Sequence, residues 1–201
     1  MAFLIIIALP SFSDAKFDFY THAKHIQNSP AKNSYMFTHI IQAPKTSPKE
    51  LFDFFEHLDQ NYLKLSPSHQ SFDIQNVSKL EKNAIIDNTE SAGGQHITHR
   101  YRVVDFIPNE YIKMVSEKSL VRGKAGFIPY KMRVKTIVEF EIVSENKHDS
   151  LVLSKLIITF PSKSKMVFAN LGGTKKIWQA HFNEEMSNGN KLFRTKANAN
   201  Y

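Results

Sequence analysis

His181 and Glu185 stand four residues apart in IWQAHFNEEMSNGNKLF, residues 177–193. At 100° per residue they fall within a stripe formed by Ile177, Trp178, Phe182, Leu192 and Phe193, one turn above the other. A carboxylate on an apolar helix face is costly unless it is paired or ligated. An imidazole beside it offers a hydrogen-bonded partner or a metal ligand. The plainer alternative is a half-solvated His–Glu pair at the helix edge.

Other histidines are candidates to meet this pair. His69 follows a Ser-Pro turn in NYLKLSPSHQSF and opens a strand. In GGQHITHRYRVV, alternation puts Ile97, His99, Tyr101 and Val103 on one face. His96, Thr98, Arg100 and Arg102 take the other. The first face is the more apolar and is expected inside, with His96 in water. His39 shares a face with Tyr35, Phe37 and Ile41 and is expected to look inward as well.

A loop, a strand and a helix that converge on His69, His99 and His181 would suit Zn²⁺. Zinc takes imidazole nitrogens and carboxylate oxygens, and a catalytic site keeps one position open for water. Glu185 would then orient a ligand or act as general base, and Tyr101 would polarise a substrate oxygen. Other chemistries lack their residues. There is no Cys, so disulfides, thiolate metal sites and a cysteine nucleophile are excluded. No GxSxG, Walker A or GxGxxG motif occurs. Glu139 and Glu141 alternate with Val138, Phe140 and Ile142 and are expected on the solvent side of a strand.

The elements that would position these residues follow from pattern. SYMFTHIIQA (34–43) reads as a first strand, ended by Pro44. Ser47-Pro48-Lys49-Glu50 has capping-box spacing with Pro in the first turn, and LFDFFEHL continues the helix. Strand-like runs follow at 70–79, 83–88, 95–106, 110–120, 132–143 and 150–160. Gly93-Gly94, Pro108-Asn109, Gly123 to Pro129 and Glu145 to Asp149 read as turns. A last helix starts near 166 or 174 and ends at 194, with Gly172-Gly173 inside or before it.

This order, one strand, one helix, about six strands and a long helix, predicts an α+β fold. In it a curved antiparallel meander wraps the C-terminal helix. The expected divisions are 1–15 as a signal peptide, 16–34 as a lead-in and 35–194 as one domain, with a disordered tail at 195–201. The signal reading rests on the apolar run Phe3 to Leu9, with Ser13 and Ala15 before a cleavage point at Lys16. It implies export to a periplasm or beyond. The alternative is a buried N-terminal strand in a cytoplasmic protein.

The chain carries 26 Lys and Arg against 19 Asp and Glu. Its densest basic groups, Lys131/Arg133/Lys135 and Lys163/Lys165, are short and not interleaved with aromatics. They are therefore read as solvated surface rather than a nucleic-acid site. No segment is long enough for stable membrane insertion. The 16 Phe point to a large core or an aromatic-lined cavity, and leave the oligomeric state open.

The order of elements resembles the helix-grip fold of the START, polyketide-cyclase and lipid-transfer (SRPBCC) superfamily. Within it, Pro67-Ser68-His69 and His181-Phe182-Asn183-Glu184-Glu185, running on to Leu192-Phe193, resemble stretches of diacetylphloroglucinol hydrolase and its relatives. That resemblance implies zinc, with His69 and His181 as ligands, and hydrolysis of a carbon–carbon bond between an acyl group and an aromatic ring. It also implies a Glu on the strand after the Gly turn, where His99 or Tyr101 stands here, and a late-strand His that LVLSKLIITF lacks. Two functions are expected on these grounds. One is a metal-dependent hydrolase or cyclase acting on a small aromatic or polyketide-like ligand. The other is a non-catalytic exported carrier of a lipid or small hydrophobic molecule.

Overall fold

A computed structural model describes residues 19–199 except 30 and 145–148, with side chains through 195. The proposed signal segment 1–15, most of the turn at Glu145–Asp149 and the last two residues lie outside the described residues. A short helix α1 (Phe19–His22) is followed by β1 (Ser34–Ala43), α2 (Pro48–Glu56) and α3 (Leu58–Asn61). A 3₁₀ turn (Tyr62–Lys64) then leads into six strands. These are β2 (His69–Ile74), β3 (Ile85–Ala92), β4 (Gln95–Ile107), β5 (Tyr111–Ala125), β6 (Ile128–Ser144) and β7 (Ser150–Thr159). The helices α4 (Lys163–Leu171) and α5 (Thr174–Ala199) close the chain. Among the described residues no helix is long and apolar enough to cross a membrane.

All seven strands form one antiparallel sheet in the order β1-β7-β6-β5-β4-β3-β2. Bulges at Arg100/Tyr101, Val103/Asp105 and Val115/Ser119 sharpen its twist and curve it. Its concave side holds α5. The expected α+β helix-grip architecture is therefore present, with the expected strand count.

Local chemistry explains the boundaries. Ser47 and Glu50 make the reciprocal capping box of α2, with Pro48 at its start. Leu51, Phe52, Phe54 and Phe55 are buried beneath it. Gly189 would place a Cβ 3.1 Å from Ile41 Cδ1. A glycine inside α5 thus lets the helix lie close on β1. The turn expected over Gly123 to Pro129 is shorter than its composition suggests. Strand pairing continues to Ala125↔Ile128, leaving Gly126 and Phe127 to make the bend, with Gly126 at φ +62. The last helix runs beyond 194 to Ala199, so the expected disordered tail is largely helical.

Gly172 joins α4 to the sheet. Its φ of −88 suits any residue, but a Cβ there would sit 1.8 Å from the Lys124 carbonyl oxygen. Backbone cannot step aside as a side chain can. Gly172→Ala should therefore destabilise the protein by about 1–3 kcal/mol, seen as a lower midpoint in urea.

The convex side differs from expectation. Glu139 and Glu141 do lie on the outer face, but they are buried, at 3% and 1% exposure. The lead-in covers them. Three consecutive backbone N–H groups, of Lys24, His25 and Ile26, donate to the Glu141 carboxylate at 2.6, 3.0 and 3.0 Å. Lys155 Nζ lies 2.5 Å from Glu139 Oε2 and donates to the Gln27 carbonyl at 2.7 Å. Tyr111 donates to Glu139 from the other side at 2.5 Å. Phe19 and Ile26 pack with Tyr111 and Leu153 in a small second core. The segment read as a lead-in is thus an integral cover of the sheet.

Candidate functional site

Three elements bring the interior polar residues together. His69 opens β2 directly opposite Glu90 on β3. Across the concave face, α5 buries Trp178, His181, Phe182, Glu185 and Met186 on one stripe. Its N-terminal end is anchored by Trp178 Nε1, which donates to Gln95 Oε1 at 2.8 Å. Gln95 Nε2 in turn donates to Thr174 at 2.9 Å. The i, i+4 spacing then carries His181 and Glu185 to the mouths of β2 and β3.

Donor atoms of His69, His181 and Glu185 lie within 4.8 Å of one another. His69 Nε2 is 3.9 Å from Glu185 Oε2, and His181 Nε2 is 3.4 Å from Glu90 Oε2. All four residues are buried. Tyr62, in the 3₁₀ turn, supports two of them. Its carbonyl meets His69 Nδ1 at 2.7 Å and its ring stacks on the imidazole at 3.7 Å. Its hydroxyl donates to Glu90 Oε1, which also accepts from Asn88 Nδ2 at 2.7 Å. A carbonyl partner assigns the proton of His69 to Nδ1 and turns the Nε2 lone pair into the cluster.

Electrostatics follow from burial and crowding. Burial opposes charge on Glu90, but the imidazoles of His181, His99 and His69 outweigh it and hold its carboxyl well below the usual range. Burial would lower His181; Glu90, then Glu185, reverse this and raise it. Burial and then the Glu90 charge push Glu185 up to about 8. Burial also lowers His69. The crowding therefore favours the ionised form of Glu90 and the protonated form of His181, and the neutral forms of Glu185 and His69.

The donor set suits a divalent metal. His69 Nε2 and both ring nitrogens of His181 are buried without a hydrogen bond, and ligation through one nitrogen of each ring would remove part of that cost. Ligands of a tetrahedral zinc stand about 3.3–3.5 Å apart. The separations of 3.4 and 3.9 Å given above are near this, and donors spread over as much as 4.8 Å would have to draw in by more than an ångström to share one ion. Two imidazoles and two carboxylates are ligands that zinc accepts.

Of the residues expected at the site, His69, His181 and Glu185 are brought together. His99 does face the same cavity, as β4 alternation predicts, but it is not part of that group. Its Nδ1 is engaged by Ser119 Oγ at 2.7 Å and Thr136 Oγ1 at 3.2 Å. Its ring stacks on Tyr101 at 4.7 Å. Burial lowers His99 to about 4, with Glu90 partly offsetting it. Burial, then Glu90, raises the Tyr101 phenol far above its usual value, so it stays an O–H donor. His96 points outward to Ser91, as expected. His39 is half-buried against the edge of Phe182.

Glu90 lies beyond the strand expected at 83–88, but β3 runs on to Ala92. No acid stands directly after the glycine turn, and Glu90 lies just before it. The signal was available: Ile86, Asn88, Glu90 and Ala92 share the buried parity of β3, and two polar residues there are unusual.

A cavity of about 50 Å³ lies between the cluster and the sheet. Glu90, His99, Tyr101, His181 and Glu185 line its polar part, and Met114 and Met186 are among its apolar walls.

No family model matches this chain, and no curated protein matches it. Solved structures do. The Zhui aromatase/cyclase from Streptomyces sp. R1128 superposes with a TM-score of 0.58 at 7% identity, over 82% of this chain and 96% of that one. A START superfamily protein from Mycobacterium smegmatis gives 0.54 at 12% identity, over 80% of this chain and 97% of that one. The di-domain ARO/CYC BexL of the BE-7585A biosynthetic pathway gives 0.56 at 13% identity, over 79% of this chain and 50% of that one. At such identities the likeness is one of backbone architecture. The chain has the helix-grip fold that these aromatase/cyclase and START superfamily structures share.

Proposed function

We propose that this protein is a metal-dependent hydrolase acting on a small aromatic or polyketide-like molecule beside the His69–Glu90–His181–Glu185 cluster. One observation carries the reading: the buried donors of His69, His181 and Glu185 converge within 4.8 Å, with Glu90 against His181, while His69 Nε2 and His181 Nε2 make no hydrogen bond. Two structures of the same fold bear the name aromatase/cyclase or ARO/CYC, which supports an aromatic or polyketide-like ligand. The resemblance of residues 67–69 and 181–193 to diacetylphloroglucinol hydrolase supports cleavage of an acyl–aryl carbon–carbon bond.

A zinc ion held by these residues would supply Lewis acidity to a carbonyl substrate. The chain's own groups do the rest. Tyr62 orients His69 and Glu90. Tyr101, held as a neutral phenol, donates to a substrate oxygen. His99 is neutral at working pH, so this wall of the cavity presents polar groups without charge.

The convergent donor residues, rather than the cavity volume, separate this reading from a carrier. About 50 Å³ suits an ion with a water or two, whereas ligand pockets run to several hundred Å³. A substrate ring must displace lining side chains, and the unbranched Met114 and Met186 are suited to yield.

The test is metal content and turnover of the full, untagged chain. Elemental mass spectrometry should find about one zinc per chain. Zinc added to chelator-stripped protein should raise its melting temperature. Hydrolysis of a panel of acyl-phenols should disappear with chelation and return with zinc. Protein that takes up no zinc even from excess would sink the proposal.

A further inference from the structure

We infer that the β5–β6 hairpin tip and α4 together form a docking surface for an anionic lipid bilayer. Six large hydrophobic side chains are exposed among the described residues, and four of them are here. Phe127 is 91% exposed at the hairpin bend, beside Ile128 at 48%. Leu171 at 72% and Val167 at 52% lie one turn apart on the outer side of α4.

The two elements are packed together. Tyr130 of the hairpin lies 6.1 Å from Phe168, ring to ring, and its hydroxyl is 2.9 Å from Thr174 Oγ1. Lys124, Gly126 and Leu171 line one shallow groove. The apolar residues therefore belong to one end of the molecule rather than being scattered, which is the arrangement that marks an interaction surface.

Charge decides the partner. No Asp or Glu occurs between Glu117 and Glu139, or between Asp149 and Glu184. The hairpin exposes Arg122, Lys124, Lys131 and Arg133, with Arg122 directly opposite Lys131. The α4–α5 segment exposes Lys163, Lys165, Lys175 and Lys176. Lys124 and Lys131 thus stand within four residues of Phe127 on the hairpin, and Lys175 and Lys176 follow Leu171 within five. A projecting Phe and Leu with cationic side chains around them match the layered chemistry of a membrane surface, where apolar groups enter the acyl boundary and Lys and Arg meet anionic headgroups. Phosphodiester binding would use the cations, and Phe127 by base stacking, but leave the aliphatic Ile128, Val167 and Leu171 in water.

The experiment is vesicle flotation with the full chain, comparing phosphatidylcholine vesicles with vesicles that also contain phosphatidylserine. Flotation should require the anionic lipid and weaken with added salt. Phe127→Asp should reduce it at least about tenfold while the circular dichroism spectrum and melting temperature stay unchanged. Phe127→Trp should show a blue-shifted emission with anionic vesicles only. Absence of flotation would overturn the inference. So would flotation that Phe127→Asp leaves intact, which would assign it to the N-terminal apolar run instead. Preferential capture by a single-stranded oligonucleotide would assign the basic ring to nucleic acid and overturn it as well.

Discussion

His181→Ala should weaken zinc binding at least about a hundredfold, near 3 kcal/mol at 1.4 kcal/mol per tenfold. His181 supplies one ligand nitrogen to the group and is buried beside Glu90 and Glu185. No neighbouring side chain can take its place in the cluster. His69→Ala should behave alike. Glu90→Gln should also lose affinity, because it removes the charge that balances the cation while keeping the hydrogen bonds from Tyr62 and Asn88. His99→Ala is the discriminating variant. If the metal group is the one the geometry favours, His99→Ala keeps its zinc and loses only turnover. If the three-histidine set were correct, it would lose zinc as His181→Ala does. Competition against a chromogenic chelator reads all four affinities without requiring activity.

Lys155→Met should cost about 3–5 kcal/mol of stability at neutral pH, the range for stranding one member of a buried ion pair. Lys155 and Glu139 face each other across β7 and β6. Both are buried, and Lys113 is the other cation near the carboxylate, at 3.4 Å. The paired variant Lys155→Met with Glu139→Gln should recover much of the loss, since no charge is then stranded. Acid acts through the same pair. Burial would raise Glu139, but Lys155 and Tyr111 hydrogen bonds outweigh it and hold its carboxyl below the ordinary value. A depressed carboxyl contributes stability that is full above its unfolded pKa and is lost as pH falls through the folded one. Wild-type protein should therefore lose this contribution on acidification. In Lys155→Met the deficit should shrink over the same range. Urea midpoints across pH measure both, and equal pH slopes for the two proteins would refute the assignment.

Local pattern reached a long way in this chain. The capping box of Ser47 and Glu50, the parity of Ile97, His99, Tyr101 and Val103, and the i, i+4 pairing of His181 with Glu185 are properties of neighbouring residues. Backbone periodicity alone turns them into a helix start, an inward strand face and a shared helix stripe. The seven-strand meander with a C-terminal helix follows from the order of such elements. What sequence could not supply was which faces meet. Glu90 joins His69 only because β2 and β3 pair in a register that sets them opposite each other. His181 reaches them only because α5 lies across the sheet at that end.

Glu139 and Glu141 show the same limit from the other side. Alternation sends them to the outer face, but it says nothing of the lead-in that covers that face more than a hundred residues away in sequence. The basic pairs of the hairpin and α4 likewise become one surface only through packing at Gly172. By itself, the sequence determined the elements, their order and the direction of most side chains, because those depend on short-range geometry. Tertiary structure decided the four-residue cluster, the buried ion pair and the basic apolar tip. Each needs charges or lone pairs from distant segments to come within a few ångströms, and only the curved sheet and the docked helices bring them there.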